Sequence, residues 1–185
     1  MDVQEALAQL QALPYQDLGF AKVDHHRALR KGFPEVVLAQ GKTPEQVAAI
    51  AAEVAAHSDR LLVTRADPEA FAAVRARLPE ARYHPVARAI VLDRSPAVAR
   101  RPGIMVLSAG TSDIPVAEEA AVTAEAMGNE AQRAYDVGVA GVHRLLDQLP
   151  QLQQARVLVV VAGLEGALPS VVAGLVSKPV IAVPT

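Results

Sequence analysis

Apolar positions along the chain fall into two textures. In the first, residues 2–13 repeat apolar side chains at helical spacing and stop at Pro14. A polar stretch follows, "YQDLGFAKVDHHRALRKGFPEVVLAQGKTPEQ", inside which Phe33–Ala39 predicts a strand. Lys42 to Gln46 predicts a helix start. Thr43 caps it, Pro44 takes the first helical position and Gln46 the third, the arrangement of a capping box. That helix extends to about Ala56. Leu61–Thr64 and Ala89–Leu92 predict strands, and Pro68–Arg77 a helix. Charge, proline and glycine then cluster in "RSPAVARRPG" and mark a linker. Residues 1–102 therefore read as a small α+β unit.

The second texture begins at Gly103. Ile104–Leu107, Val157–Ala162 and Val180–Val183 are short apolar runs rich in β-branched residues, as strands buried on both faces require. Alanine-rich helices are predicted at Val116–Met127 and Gly138–Leu149, with Glu130–Gly138 a weaker strand or turn. Strand and helix alternate, so residues 103–185 predict an α/β domain. Its sheet is expected to be parallel and doubly wound, flavodoxin-like or Rossmann-like.

Composition narrows this picture. The chain is 51% hydrophobic but only 3% aromatic, with no Trp, so its cores must be built from Ala, Val and Leu. A net charge of -2 argues against non-specific nucleic-acid binding and against a basic membrane-surface patch. Cysteine is absent, which removes disulfides and thiolate zinc sites. The acidic N-terminus lacks the basic start of a signal peptide, and no apolar run is long enough to span a bilayer. A soluble, cytoplasmic protein is the expectation.

Ligands of an open parallel sheet bind at the carboxyl ends of strands where strand order reverses. Two loops are placed for that. Ser108-Ala109-Gly110-Thr111-Ser112-Asp113 follows the first strand, and its small residues let the backbone approach an anion at a helix N-terminus. Asp113 could equally cap that helix. The second loop, after Val157–Ala162, sets Glu165 between Gly163 and Gly166, with Pro169 beyond. A partly desolvated carboxylate at that lip would have a raised pKa and could move protons near neutral pH. It could also be a surface Glu in a glycine turn. His143-Arg144 could hold a phosphate or carboxylate, or form a solvated helix face. Arg27, Arg30, Lys31 and Lys42 form an anion clamp if their stretch folds over the pocket, and solubilising charge otherwise. His25-His26 beside Asp24 hints at a metal. Adjacent residues point different ways on regular elements, so no metal site is expected.

Residues 103–185 resemble the phosphoribosyl-aminoimidazole carboxylase and mutase superfamily. The resemblance rests on Gly110-Thr111-Ser112-Asp113, on His143-Arg144, and on Ala162-Gly163, Gly166 and Leu168-Pro169. A closer similarity covers nearly the whole chain. "RKGFPEVVLAQGKTPEQ", "GTSDIPVAEEAAVTAEAMG", "YDVGVAGVHRLL" and "VVAGLEGALPSVVAGLVSKPVIAVPT" resemble the pyridinium-3,5-biscarboxylic acid mononucleotide synthases of nickel-pincer cofactor biosynthesis. That resemblance implies carboxylation of the pyridinium ring of nicotinic acid adenine dinucleotide at C5 with carbon dioxide. It also implies hydrolysis of the phosphoanhydride, releasing AMP. In the family mechanism a cysteine thiolate adds at C4, and C5 then attacks carbon dioxide as an enamine carbon. A base removes the C5 proton and the thiolate leaves.

By the same resemblance Glu165 is the acid/base. Asp113, Ser108, Thr111 and Ser112 hold ribose and phosphate, with Gly110, Gly163 and Gly166 in their loops, and His143 and Arg144 line the pocket. Asp24, Arg27, Arg30, Glu35 and Lys42 grip the pyrophosphate or AMP half. No tightly bound cofactor is expected; a magnesium ion on the pyrophosphate would take Asp113 or water as ligand. The superfamily forms octamers, so a homo-oligomer is expected, with the alanine-rich Val116–Met127 helix suited to close packing. The family chain continues past "VIAVPT" to a helix carrying the nucleophilic cysteine. The expectation is therefore a longer chain completing sheet and site beyond Thr185, one that an intact mass near 19.5 kDa would contradict. Two alternatives stand beside this. One is the mutase, whose histidine before Leu-Pro is replaced by Ala167, and which lacks the N-terminal hundred residues. The other is a non-catalytic nucleotide-binding module.

Overall fold

Two units, Met1–Pro96 and Ala97–Thr185, divide the computed structural model, which describes residues 2–3, 15–95 and 99–185. The helix expected over residues 2–13 lies largely outside the described residues.

In the first unit an antiparallel hairpin joins β1 (Tyr15–Asp17) to β2 (Lys22–Asp24), and a short helix α1 (Arg27–Lys31) follows. Gly32 closes that helix at φ 73°, the left-handed conformation that a glycine adopts without a Cβ clash. The strand expected over Phe33–Ala39 shrinks to β3 (Val37–Leu38). Pro34 has no N–H to give a ladder, and Glu35 turns back to accept the Asp24 N–H at 2.7 Å. Thr43 then starts α2 (Pro44–His57) with the expected capping box. Its hydroxyl accepts from the Gln46 N–H at 3.3 Å, and the Gln46 side chain accepts from the Thr43 N–H at 3.1 Å.

After α2 come β4 (Arg60–Thr64), α3 (Pro68–Arg77), β5 (Arg82–His84) and β6 (Ala89–Asp93). The sheet runs β3-β4-β6-β5, parallel only between β3 and β4. Val47, Ile50, Ala51 and Val54 recur at helical spacing on α2 and are buried in one core with Leu61, Val63, Ile90 and Leu92 of the sheet. β5 and the hairpin escaped the pattern because they are short and carry polar residues at most positions.

The second unit is built from β7 (Arg101–Ser108), α4 (Ile114–Ala126), β8 (Asn129–Ala134), α5 (Val142–Leu146), α6 (Leu149–Gln154), β9 (Val157–Ala162), α7 (Ala167–Leu175) and β10 (Val180–Pro184). The helix expected over Gly138–Leu149 is broken. A 3-10 turn at Val139–Gly141 precedes α5, and Pro150, which cannot donate inside a helix, sits in the first turn of α6. All three strand pairings are parallel, in the order β10-β9-β7-β8, as the alternating pattern predicts.

Alternate residues of the sheet face two cores. Met105, Leu107, Leu158 and Val160 pack with Leu145, Leu152, Leu168 and Val172 of α5, α6 and α7. Val106 and Val161 pack with Ala117 and Ala121 of α4 on the other side. The chain moves from β7 to β8 in one direction and from β8 back to β9 in the other. Right-handed crossovers then require helices on opposite faces, and a crevice opens between the carboxyl ends of β7 and β9.

Candidate active site

Both sequence-selected loops of the second unit sit at that crevice. Behind β7 the backbone runs through Ala109 and Gly110 into a 3-10 turn, Thr111–Asp113, that feeds α4. Asp113 is only 5% exposed. Its Oδ2 accepts the Gly110 N–H at 2.9 Å and its Oδ1 accepts the Thr185 hydroxyl at 2.7 Å. The carboxylate therefore holds the loop's shape and ties it to the end of β10. Both oxygens accept hydrogen bonds inside the protein. Thr111 and Ser112 are exposed and free to meet a ligand from the loop's outer side.

Gly163, first residue after β9, explains why that loop begins with glycine. A Cβ there would lie 2.6 Å from Thr185 Oγ1 and 3.3 Å from Asp113 Oδ1. Three strand ends thus meet at one point. Gly138 does the same for a fourth, since its Cβ would lie 2.7 Å from the Ala109 carbonyl oxygen. Asp136 (φ 57°) and Leu164 (φ 52°) take left-handed backbone at the ends of β8 and β9. Such conformations cost energy for residues with a Cβ, most for a bulky one. Strain is therefore stored at the same edge of the sheet.

Ser108 departs from expectation. It is fully buried, and its hydroxyl accepts the Asp136 N–H at 3.1 Å, so it braces the β8 loop from inside the protein. Glu165 also differs. The sequence places it partly desolvated, but it is exposed at the tip of the turn closed by the Gly166 N–H donating to the Gly163 carbonyl at 2.9 Å. Neighbours at that tip are Leu164 and Gly166, neither of which covers it. His143 is exposed on α5, and Arg144 donates to Asp136 Oδ2 at 2.5 Å, which brings it to the Ser108 side of the crevice.

In the first unit the structure gathers four of the five selected residues. Asp24 Oδ2 accepts from Arg30 at 2.5 Å, Asp24 Oδ1 accepts from the His26 N–H at 2.9 Å, and Glu35 holds the Asp24 N–H. Arg27 stands 3.9 Å from both carboxylates. Burial pushes the Asp24 pKa up. The Arg30 hydrogen bond and charge, the His26 amide and the Arg27 charge together outweigh that and hold it below the ordinary aspartate value. Lys42 is not part of the set, because its ammonium donates to the Leu38 carbonyl at 2.9 Å.

Sequence reasoning missed two clusters. Tyr135 donates to Glu118 at 2.7 Å while Arg133 bridges Glu118 and Glu125 at 3.0 and 2.6 Å, clamping β8 to α4. Burial, then the Glu118 bond and charge, push the Tyr135 pKa up. The other joins His25 to Glu53 and His57. Local spacing sets His25 beside His26 and Asp24, whereas the structure places it against Glu53 and His57 of α2. Among the described residues, no helix is long and apolar enough to cross a membrane.

Residues 15–94 match the family model for the LarB/PurE-like N-terminal domain, and residues 103–185 match that for AIR carboxylase. An uncharacterized protein of Methanocaldococcus jannaschii is 38% identical over 172 residues, spanning 89% of this chain and 67% of that protein. The N5-carboxyaminoimidazole ribonucleotide mutase of the same organism is 38% identical over 84 residues, which are 44% of this chain and 51% of the mutase.

Proposed function

The chain belongs to the LarB family, with an AIR carboxylase domain as its second unit, and on that premise we propose that it carboxylates C5 of the pyridinium ring of nicotinic acid adenine dinucleotide and cleaves its phosphoanhydride, yielding the dicarboxylated mononucleotide and AMP. The domain pair supports a carboxylase- or mutase-type enzyme. One observation carries the finer reading. At the β7–β9 switch point, a loop without bulky side chains meets a glycine loop bearing a single carboxylate.

The first loop binds the mononucleotide half. Its exposed Thr111 and Ser112 hydroxyls and the amides entering α4 suit ribose and phosphate oxygens. Glu165 removes the C5 proton once the new carbon–carbon bond has formed, and the ring regains aromaticity as the nucleophile added at C4 leaves. Arg144, steered by Asp136, contributes positive charge at the same edge. In the first unit, the Arg27 and Arg30 guanidiniums form a separate set suited to an anion. These 185 residues contain no cysteine, so their roles are binding, orientation and proton transfer.

The test supplies the full-length protein with nicotinic acid adenine dinucleotide and isotopically labelled bicarbonate, read by mass spectrometry. A labelled dicarboxylated pyridinium mononucleotide together with AMP is the expected result. Binding of the dinucleotide with neither product would overturn the reading, as would turnover of a carboxyaminoimidazole ribonucleotide in its place.

A further inference from the structure

We propose that His25, Glu53 and His57 form a binding site for one divalent transition-metal ion of the zinc class. Helix α2 sets Glu53 and His57 four residues apart, on one face of its last turn. The turn after β2 brings His25 onto the same spot. His25 Nε2 lies 3.1 Å from Glu53 Oε1, and His57 Nδ1 lies 3.4 Å from that same oxygen. All three donor atoms fall within 4.8 Å of one another. In a tetrahedral site with bonds of about 2.0–2.1 Å, neighbouring ligand atoms stand about 3.3–3.4 Å apart. Both nitrogen–oxygen separations already match that spacing, and the two nitrogens lie within 4.8 Å of each other.

A second observation points to a ligand. The His25 side chain is 8% exposed, yet its Nε2 makes no hydrogen bond among the described residues. The nearby Glu53 oxygen is close but misaligned for one. A buried ring nitrogen left this way is costly unless something else engages it. A cation between the two imidazoles and the carboxylate satisfies all three at once. Beside them lies a cavity of about 10 Å³, bordered by His25, His57, Asp24 and Glu35. That is about the space of one water, which would serve as fourth ligand.

The donor set decides the metal class. Two imidazoles and one carboxylate suit zinc or cobalt, whereas magnesium prefers an octahedron of oxygens. Metal binding uses neutral imidazoles, and the His25 and His57 rings sit 4.0 Å apart. His57 Nδ1 is 3.1 Å from the Glu53 carbonyl, which can only accept, so the metal-free ring carries its hydrogen on Nδ1 and an ion binds there only after that hydrogen moves to Nε2. Once bound, the ion fastens the turn bearing Asp24 and Arg27 to the end of α2.

The experiment titrates metal-stripped full-length protein with Co²⁺ and then Zn²⁺. One ion per chain is expected, with the intense visible bands of tetrahedral cobalt, lost on adding zinc. Mg²⁺ should leave the spectrum and the melting temperature unchanged. His57→Ala, at a half-exposed position, and Glu53→Gln should each weaken zinc binding by about 100-fold or more, whereas His84→Ala should not weaken it. His25→Asn should do the same as His57→Ala; if it fails to fold, the other two variants decide. Zinc affinity within about 3-fold of wild type in both His57→Ala and Glu53→Gln would overturn the site, as would absence of the cobalt bands.

Discussion

The first unit assembles its polar cluster from long side chains, and the second assembles its candidate site from backbone. Around Asp24 the geometry depends on guanidinium–carboxylate pairs whose arginines are about half exposed. Around Asp113 it depends on a buried carboxylate, two glycines against which no Cβ fits, and strand ends that meet at one point. The first kind of site tolerates added volume and is sensitive to charge and salt. The second tolerates little added volume and barely responds to salt. A ligand that must lie flat against a loop, as a ribose phosphate does, suits the second kind.

The largest effect should come from Glu165, the exposed carboxylate of the glycine loop. Glu165→Gln should lower turnover by about 10²–10⁴-fold while dinucleotide affinity, measured by calorimetry, stays within a few-fold. Turnover within about tenfold of wild type would remove Glu165 from proton transfer and leave the second unit a binding surface only. Next in size is added volume. Gly138→Val puts a branched side chain 2.7 Å from the Ala109 carbonyl, which cannot yield without moving the loop. A loss of about 1–3 kcal/mol is expected by denaturant unfolding. A smaller loss, about 1–2 kcal/mol, should follow Asp113→Ala, which strips partners from the Gly110 N–H and the Thr185 hydroxyl. If either variant unfolds at the wild-type midpoint, the loop is not held as described.

Legibility in the sequence followed the same divide. Parallel strands buried on both faces write unbroken β-branched runs, so β7 and β9 were readable, whereas β10 carries the same pattern at the sheet edge with Ile181 exposed; Thr43 to Gln46 announced α2 by its caps. The bare turn at Gly110–Asp113 was readable as a strand–helix turn, its Asp113 holding the Gly110 N–H, and its small residues leave it open as a ligand loop. What local pattern could not carry was anything fixed by distant partners. Ser108 reads as a ligand hydroxyl until Asp136 arrives from 28 residues away to claim it. His25 reads as half of a useless pair until α2 supplies Glu53 and His57. Glu165 reads as desolvated because its flanks are apolar, yet a left-handed Leu164 turns the tip outward. The break before α6 was visible only as Pro150, one residue past the expected helix end at Leu149.

The smallest effect tests the side-chain-built cluster and turns on sign. Asp24 has its folded pKa held below the unfolded one, burial opposing this and Arg30 leading the groups that achieve it. At low pH the unfolded chain therefore binds the proton first. The cluster's contribution is present above the unfolded pKa and is lost as pH falls through the folded one. Arg30→Ala should let Asp24 titrate closer to an ordinary aspartate, visible by carbon NMR of its carboxyl. The accompanying stability loss at neutral pH should be under about 1 kcal/mol, because the pair is solvent-screened. It should shrink further in about 1 M salt and vanish in strong acid, where wild type and variant become equal. A difference that grew toward acid would mean that Arg30 destabilises the folded state through its own positive charge. An Asp24 titration unchanged by Arg30→Ala would move the credit to the His26 amide, making even this cluster a backbone-built one.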